Sequence, residues 1–240
     1  MKRNKIMNFI SKYNLSGNVD SVRWNFEDNK LKTTFLSPTK ALRGSVITDF
    51  EYNESAEIGI YETVKLSKMI SIMEDEIEMK LNKSQDKFRL IEYSDSSTKI
   101  KYMLSELDII EKVGDMKYIP TFDVDIKLTK DIITKFLKAR NAIDLSEYFY
   151  INCDILSDTC KLILGEGVNQ IILDVEYNEI SDMQHLSFST ELFSEILNAN
   201  KDFESVIFKI SNEGLMYLNF TNEEFKCDYY LVAKMGNEDE

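Results

Sequence analysis

Internal repetition constrains this chain more than any other feature. Val64-Lys65-Leu66-Ser67-Lys68-Met69-Ile70 reads apolar, any, apolar, Ser/Thr, any, any, apolar. Residues 126–132 and 186–192 repeat the pattern, with Thr129 and Ser189 at the hydroxyl position. Residues 1–7 are a degraded copy, with Asn4 in that place. The key positions are 4, 67, 129 and 189, so the intervals are 63, 62 and 60 residues. A near-constant period marks one supersecondary unit used several times. Each copy reads as the end of a strand, an N-cap side chain and a helix. The cap accepts a hydrogen bond from a helix N–H that has no partner within the helix.

Three strand-like runs follow each expected helix. They are 19–26, 30–37 and 42–51; 76–82, 86–93 and 98–105; 147–154, 158–164 and 169–178; and 204–211, 214–220 and 224–233. Ile77, Met79 and Leu81 alternate with Glu78 and Lys80, the period of a sheet with one buried face. Glu27-Asp28-Asn29, Asp95-Ser96-Ser97 and Asn212-Glu213-Gly214 supply turns between runs. The unit is therefore β-α-β-β-β, although the first copy lacks a clear leading strand. The fold class is α+β, with two domains of duplicated units and antiparallel sheets packed on helices. The boundaries read as 1–107, a connector at 108–120, and 121–240. Runs 99–107 and 169–178 should form sheet edges, and unpaired edges invite pairing with another chain. Ile100, Tyr102 and Leu104 on one, and Ile171, Leu173 and Val175 on the other, are the candidate subunit interface.

Composition excludes several functions. No apolar run approaches the roughly 20 residues of a membrane helix. The basic N-terminus lacks the apolar core of a signal peptide, so a cytoplasmic protein with no membrane contact is expected. The cysteines are Cys153, Cys160 and Cys227, without CxxC spacing, and are expected as reduced thiols. With His185 the one histidine, Ser-His and Cys-His nucleophile pairs and His/Cys zinc sites have no basis. Gly165-Glu166-Gly167 precedes a strand, so it reads as a hairpin turn rather than a phosphate loop. Pairs such as Asp123 and Asp125, or Asp154 and Asp158, could hold Mg²⁺, but 42 acidic residues make such pairs expected by chance. No enzyme activity, cofactor or metal is expected.

Charge is distributed unevenly. The chain carries −13 overall. Yet residues 1–19 hold Lys2, Arg3, Lys5 and Lys12 with no acid, and residues 127–140 hold five cations against Asp131. Local fields, not net charge, attract polyanions. In the first helix Ile6, Phe9, Ile10 and Tyr13 should face the core, leaving Lys5, Asn8 and Lys12 outside. In the second, Ile70 and Met73 point inward and Lys68 and Ser71 outward. In the third, Ile132, Ile133, Phe136 and Leu137 oppose Lys130, Thr134, Lys138 and Asn141, with Lys135 and Arg140 nearby. The fourth helix departs from the pattern with Glu191 and Glu195, and only Lys201 near its end. The candidate polyanion-facing residues are Lys5, Lys12, Lys68, Lys130, Lys135, Lys138 and Arg140.

Local sequence adds a resemblance. Ser45-Val46-Ile47-Thr48-Asp49-Phe50-Glu51 and the stretch 57–69 resemble the first domain of T-even-type bacteriophage sliding clamps. The tail 228–235 and the loop Leu36-Ser37-Pro38-Thr39-Lys40-Ala41-Leu42 are similar to segments of proliferating cell nuclear antigen, the eukaryotic clamp. The resemblance implies a DNA-clamp fold and a non-enzymatic role. It also implies a homotrimeric ring around duplex DNA that tethers a replicative polymerase after loading by an ATPase. It places a partner-peptide pocket at Leu36, Ala41, Leu42, Tyr230, Val232 and Met235, walled by Ile109, Ile110, Val113, Tyr118, Ile119 and Pro120 of the connector. A monomeric, ring-less polymerase accessory factor of the same fold and a structural viral ring protein are the alternatives.

Overall fold

The structure is a computed structural model and describes residues 1–52, 54–143 and 146–234, without the side chains of Gln184 and His185. Its described residues form two compact units, one within residues 1–38, 44–114 and 224–227 and the other within residues 39–43, 115–223 and 228–234. Among the described residues, each unit carries two α-helices and antiparallel strands.

In the first unit, α1 (Arg3–Asn14) and α2 (Thr63–Ser71) pack on sheets ordered β3-β2-β1-β4 and β5-β6-β7. The strands are β1 (Val22–Glu27), β2 (Lys30–Leu36), β3 (Leu42–Asp49), β4 (Ala56–Ile60), β5 (Glu78–Ser84), β6 (Lys87–Ser94) and β7 (Lys99–Met103). In the second, α3 (Lys130–Ala142) and α4 (Thr190–Ala199) accompany sheets ordered β12-β8-β14-β15-β16 and β11-β10-β9-β13. These strands are β8 (Val124–Ile126), β9 (Tyr148–Asp154), β10 (Thr159–Glu166), β11 (Asn169–Asp174), β12 (Tyr177–Glu179), β13 (Met183–Ser189), β14 (Ser205–Ile210), β15 (Leu215–Thr221) and β16 (Phe225–Val232).

Two of the four expected caps hold. Thr129 Oγ1 accepts from Ile132 N at 3.2 Å and Ser189 Oγ from Leu192 N at 3.3 Å. The other two are corrected. Asn4 lies inside α1, whose N-cap is Lys2, and Ser67 lies inside α2, whose N-cap is Glu62. Neither of those caps accepts a helix N–H with its side chain. Thr63 N instead donates to Asp20 O, and Val64 N to the Asp20 carboxylate at 3.0 Å. Long-range acceptors thus replace the local hydroxyl and let the helix begin earlier. The corrected caps Lys2, Glu62, Thr129 and Ser189 put 60 residues between partners within each half (2 to 62, 129 to 189).

Leading strands pair with the neighbouring copy's sheet. β4 runs along β1, β13 along β9, and β8 along β14. The missing first leading strand survives as a short stretch. Lys2 bridges Glu76, Ile77 N donates to Met1 O at 2.9 Å, and Arg3 N donates to Asp75 O at 2.7 Å. Run 169–178 is not one strand: it divides into β11 and β12, and β12 pairs with β8 instead.

Tight turns set the registers. Asp28 and Asn29 both adopt positive φ (50° and 55°), the geometry of a two-residue hairpin loop whose twist suits the strands β1 and β2. Gly165 (φ 91°) and Gly167 (φ 60°) turn β10 into β11, as the hairpin reading requires. The cores are aromatic. Phe9, Tyr13 and Trp24 meet edge to face in the first unit with Phe35 tilted against Tyr13, and in the second Phe136 meets Phe149 and Phe193 edge to face while Phe188 and Phe208 pack at tilted angles. Trp24 Nε1 donates to Tyr13 Oη at 3.3 Å, so a buried polar atom is satisfied within the apolar cluster.

The cysteine expectation is corrected. Cys153 and Cys160 face each other across β9 and β10 and are joined as a disulfide. Seven residues apart in sequence, they meet because the hairpin register puts them opposite. Cys227 is buried. Among the described residues no helix is long and apolar enough to cross a membrane.

Candidate functional site

The basic helices divide into exposed and sequestered cations. Lys68 and Lys138 are exposed and Lys5 half-buried, and none has an ion-pair partner among the described residues. Lys2 and Lys201 are also exposed. Lys12 overturns its assignment. Its side chain is only 2 % exposed, and its ammonium lies over the Phe225 ring at 5.1 Å. Seven residues after Lys5, it shares the same angular position on α1. But Phe225, which belongs to the same unit, lies against it there. Two other candidates are compensated on the spot, and a third stands against an aromatic ring. Lys135 pairs with Asp131 at 2.7 Å, Arg140 with Glu195 of α4 at 3.6 Å, and the Lys130 ammonium lies 5.4 Å from the Phe203 ring.

Both expected sheet edges are edges. β7 ends β5-β6-β7, and β11 ends β11-β10-β9-β13. The side chains chosen on the first edge are corrected: Ile100, Tyr102 and Leu104 are buried in their own unit. An apolar row on a half-buried sheet is first of all the core row. The outward row is Lys99, Lys101 and Met103, with Met103 80 % exposed. Glu92 joins the two lysines, at 2.6 Å and 3.8 Å, and the Lys99 hydrogen bond draws its carboxyl below the ordinary range. On β11 the inward Ile171 and Leu173 remain half-buried, Val175 beyond the strand is buried, and Ile172 and Asp174 face out. Near β7, α2 exposes Val64 and Ile72 beside Lys65 and Lys68, which with Met69 line a cavity of about 560 Å³.

The peptide-pocket candidates also sort by burial. Leu42, Ile110 and Pro120 are buried and offer no side-chain surface. Ile110 packs on Gly59, and Arg23 fastens its carbonyl: Nε donates to Ile110 O at 3.0 Å and Nη2 to Leu107 O at 2.6 Å. Leu36, Ala41 and Val113 are half-buried, and Ile109 is exposed. Met235 lies outside the described residues.

The second unit holds an aromatic ladder that sequence reading identified only in part. Tyr230 stacks on Tyr217 at 4.8 Å, and Phe122 meets Tyr217 at 5.7 Å. Tyr217 Oη and Asn219 Nδ2 each donate to Asp228 at 2.8 Å. Burial, then the Asp228 carboxylate, raises the Tyr217 hydroxyl well above its usual range. Val232 and Ile119 of the same unit are about half exposed, at 47 % and 46 %. The segment before β8 is tied down, since Tyr118 Oη donates to Glu213 at 3.0 Å and Asn212 N to Asp123 at 2.7 Å. Tyr217 was legible as an outward position in the alternation of β15; Phe122 carried no periodic signal.

The carboxylate pairs weighed as Mg²⁺ ligands are committed elsewhere. Asp125 meets Lys209 at 3.4 Å and accepts from Asn178, while Asp154 caps the turn at Leu156 and Ser157.

No family model and no curated protein sequence matches this chain. Solved structures do. The chain is similar to the crystal structure of proliferating cellular nuclear antigen from Entamoeba histolytica, with a TM-score of 0.76 and 16 % identity. The match covers 98 % of this chain and 97 % of that one. The chain has the DNA-clamp fold. That fold accounts for four helices at paired spacing, each followed by antiparallel strands.

Proposed function

We propose that this clamp-fold protein is a sliding clamp, one that encircles duplex DNA and tethers a replicative polymerase. The observation that carries the reading is that exposed Lys68 and Lys138 and half-buried Lys5, on three helices of a chain with net charge −13, have no ion-pair partner among the described residues. Lysines facing phosphates bind every sequence alike, because sequence information lies on base edges. Such contacts permit sliding and weaken with salt. The DNA-facing set is Lys5, Lys68 and Lys138, with Lys130 beside the Phe203 ring and Lys135 and Arg140 as compensated members.

The ring is a homotrimer in which β7 of one copy pairs with β11 of the next, a head-to-tail contact that can close. Charge complementarity supports this pairing: Lys99 and Lys101 share the single carboxylate of Glu92, which leaves one edge net positive, and Asp174 makes the other negative. Met103, Val64 and Ile72 would cover the half-exposed Ile171 and Leu173. The polymerase peptide docks on the second unit's aromatic ladder, at Tyr217, Tyr230, Val232 and Ile119. An ATP-driven loader would open the ring.

Light scattering over a dilution series, with salt-dependent binding to duplexes of unrelated sequence, tests the reading. A trimer that dissociates on dilution and binds both duplexes equally is expected. A single-chain mass at every concentration would sink the ring, and absence of duplex binding at low salt would sink the function.

A further inference from the structure

We infer that Glu195 is an attenuator of DNA grip, acting by holding Arg140 away from phosphate; the inference rests on the duplex-binding reading of α3. Of the cations on α3, Arg140 alone pairs, among the described residues, with an acid on a different helix. The pair is partly sheltered: the Glu195 side chain is 15 % exposed and that of Arg140 35 %. The other ion pair on the helix, Lys135–Asp131, is open to water, at 56 % and 69 % exposure. Exposed pairs of that kind exchange readily for another anion, whereas a sheltered pair is screened less by salt.

The surroundings reinforce the hold. Glu191 in the first turn of α4, together with Glu147, lines the same cavity of about 740 Å³ as Arg140, so the local field is negative on the side facing α4. Salt sensitivity counts cations that meet phosphate, because each releases a condensed counterion. A guanidinium already neutralised by a carboxylate adds little to that count. Glu195 thereby turns a potential phosphate clamp into a near-neutral surface, which favours mobility along the duplex over tight holding. The acidic character of α4 becomes a functional property of the α3–α4 pair rather than an exception to the basic helices.

The test is fluorescence anisotropy of a labelled duplex of arbitrary sequence, titrated with the full chain at several salt concentrations. Glu195→Gln, Arg140→Gln and the double variant are compared with wild type. Glu195→Gln should bind more tightly and steepen the log–log salt slope by about 0.9 per chain, the value of one added phosphate contact. In the Arg140→Gln background the same substitution should leave the slope unchanged. An unchanged slope in Glu195→Gln, or equal steepening in both backgrounds, overturns the inference; the second outcome would reduce it to a general charge effect. A fall in thermal midpoint without a slope change makes the pair merely structural and overturns it too. If Glu195→Gln does not fold, Glu195→Ala carries the same charge change and decides by the same criteria. Wild-type protein that binds no duplex at low salt overturns the sliding-clamp reading itself, a result separate from a wild type that binds and a variant that does not differ.

Discussion

Lys12 and Lys138 look alike in sequence, each a lysine on the polar side of an amphipathic helix, and they should behave oppositely when changed. Lys138 is exposed and without an ion-pair partner among the described residues. Lys138→Glu should alter stability by no more than about 0.5 kcal/mol, the usual range for surface positions. It should also flatten the salt slope of duplex binding by about 0.9 per chain, one phosphate contact. Lys12 is 2 % exposed with its ammonium 5.1 Å from the Phe225 ring centre. A desolvated cation–π contact is worth about 2 kcal/mol. Lys12→Met keeps the stem's packing and loses that contact, so it should cost about 2 kcal/mol. For a chain of this size that corresponds to a fall of roughly 4–8 °C in thermal midpoint. Lys12→Glu would bury a carboxylate against the negative face of the ring and cost several kcal/mol. Neither Lys12 variant, measured at a temperature where it is folded, should change the salt slope. Urea denaturation followed by Trp24 fluorescence and duplex anisotropy at four salt concentrations measure both quantities. The reasoning is refuted if Lys12→Met is as stable as wild type and flattens the slope, because the side chain would then face DNA.

Gly59→Ala should be destabilising by about 1–3 kcal/mol, because an added Cβ would stand 2.8 Å from the backbone oxygen of Ser105 and from Ile110 Cδ1. A denaturation midpoint equal to that of wild type would contradict the tight seating of residues 105–110 on β4. Asp95 accepts backbone bonds from Glu74, Ser97 and Thr98, which hold its carboxyl below the ordinary range. Its contribution is therefore present above the unfolded carboxylate pKa of about 3.9 and is lost as pH falls through the lower folded value. Asp95→Ala should accordingly melt earlier than wild type at pH 7, with the gap closing in acid; a gap independent of pH would rule this out. Tyr230→Ala should weaken binding of a polymerase-derived peptide by about 2 kcal/mol or more in calorimetry, as loss of a central aromatic anchor does. It should leave oligomer mass unchanged. Ile110→Ala should act on stability and not on peptide affinity, since Ile110 is 3 % exposed.

Local periodicity along the chain sets which segments become helix and which become strand. Amphipathic spacing located the four helices of the repeat, alternation located the strand runs that follow each of them, and polar or glycine-bearing turns located the hairpins, whereas β4 begins well before the leading strand expected at 64–66. These signals are local: each depends on residues within one or two turns of one another, and backbone geometry converts them directly into helix or strand. Thr129 and Ser189 were legible as caps because their partners lie three residues away. Glu62 was not, because α2 begins where Asp20, 42 residues earlier, supplies acceptors for Thr63 and Val64. The same divide runs through the candidate site. A 3.6-residue period gives the angle of Lys12 on its helix but not whether Phe225 will lie against it. An alternating period finds the two faces of β7 without saying that Ile100 and Tyr102 take the inner one, which requires knowing what packs beneath the sheet. Arg140 reads as an exposed cation until α4, about 50 residues on, places Glu195 beside it. Helix and strand are properties of a segment. Burial, ion pairing and the pairing of Cys153 with Cys160 depend on contacts between segments, and those exist only in the tertiary structure.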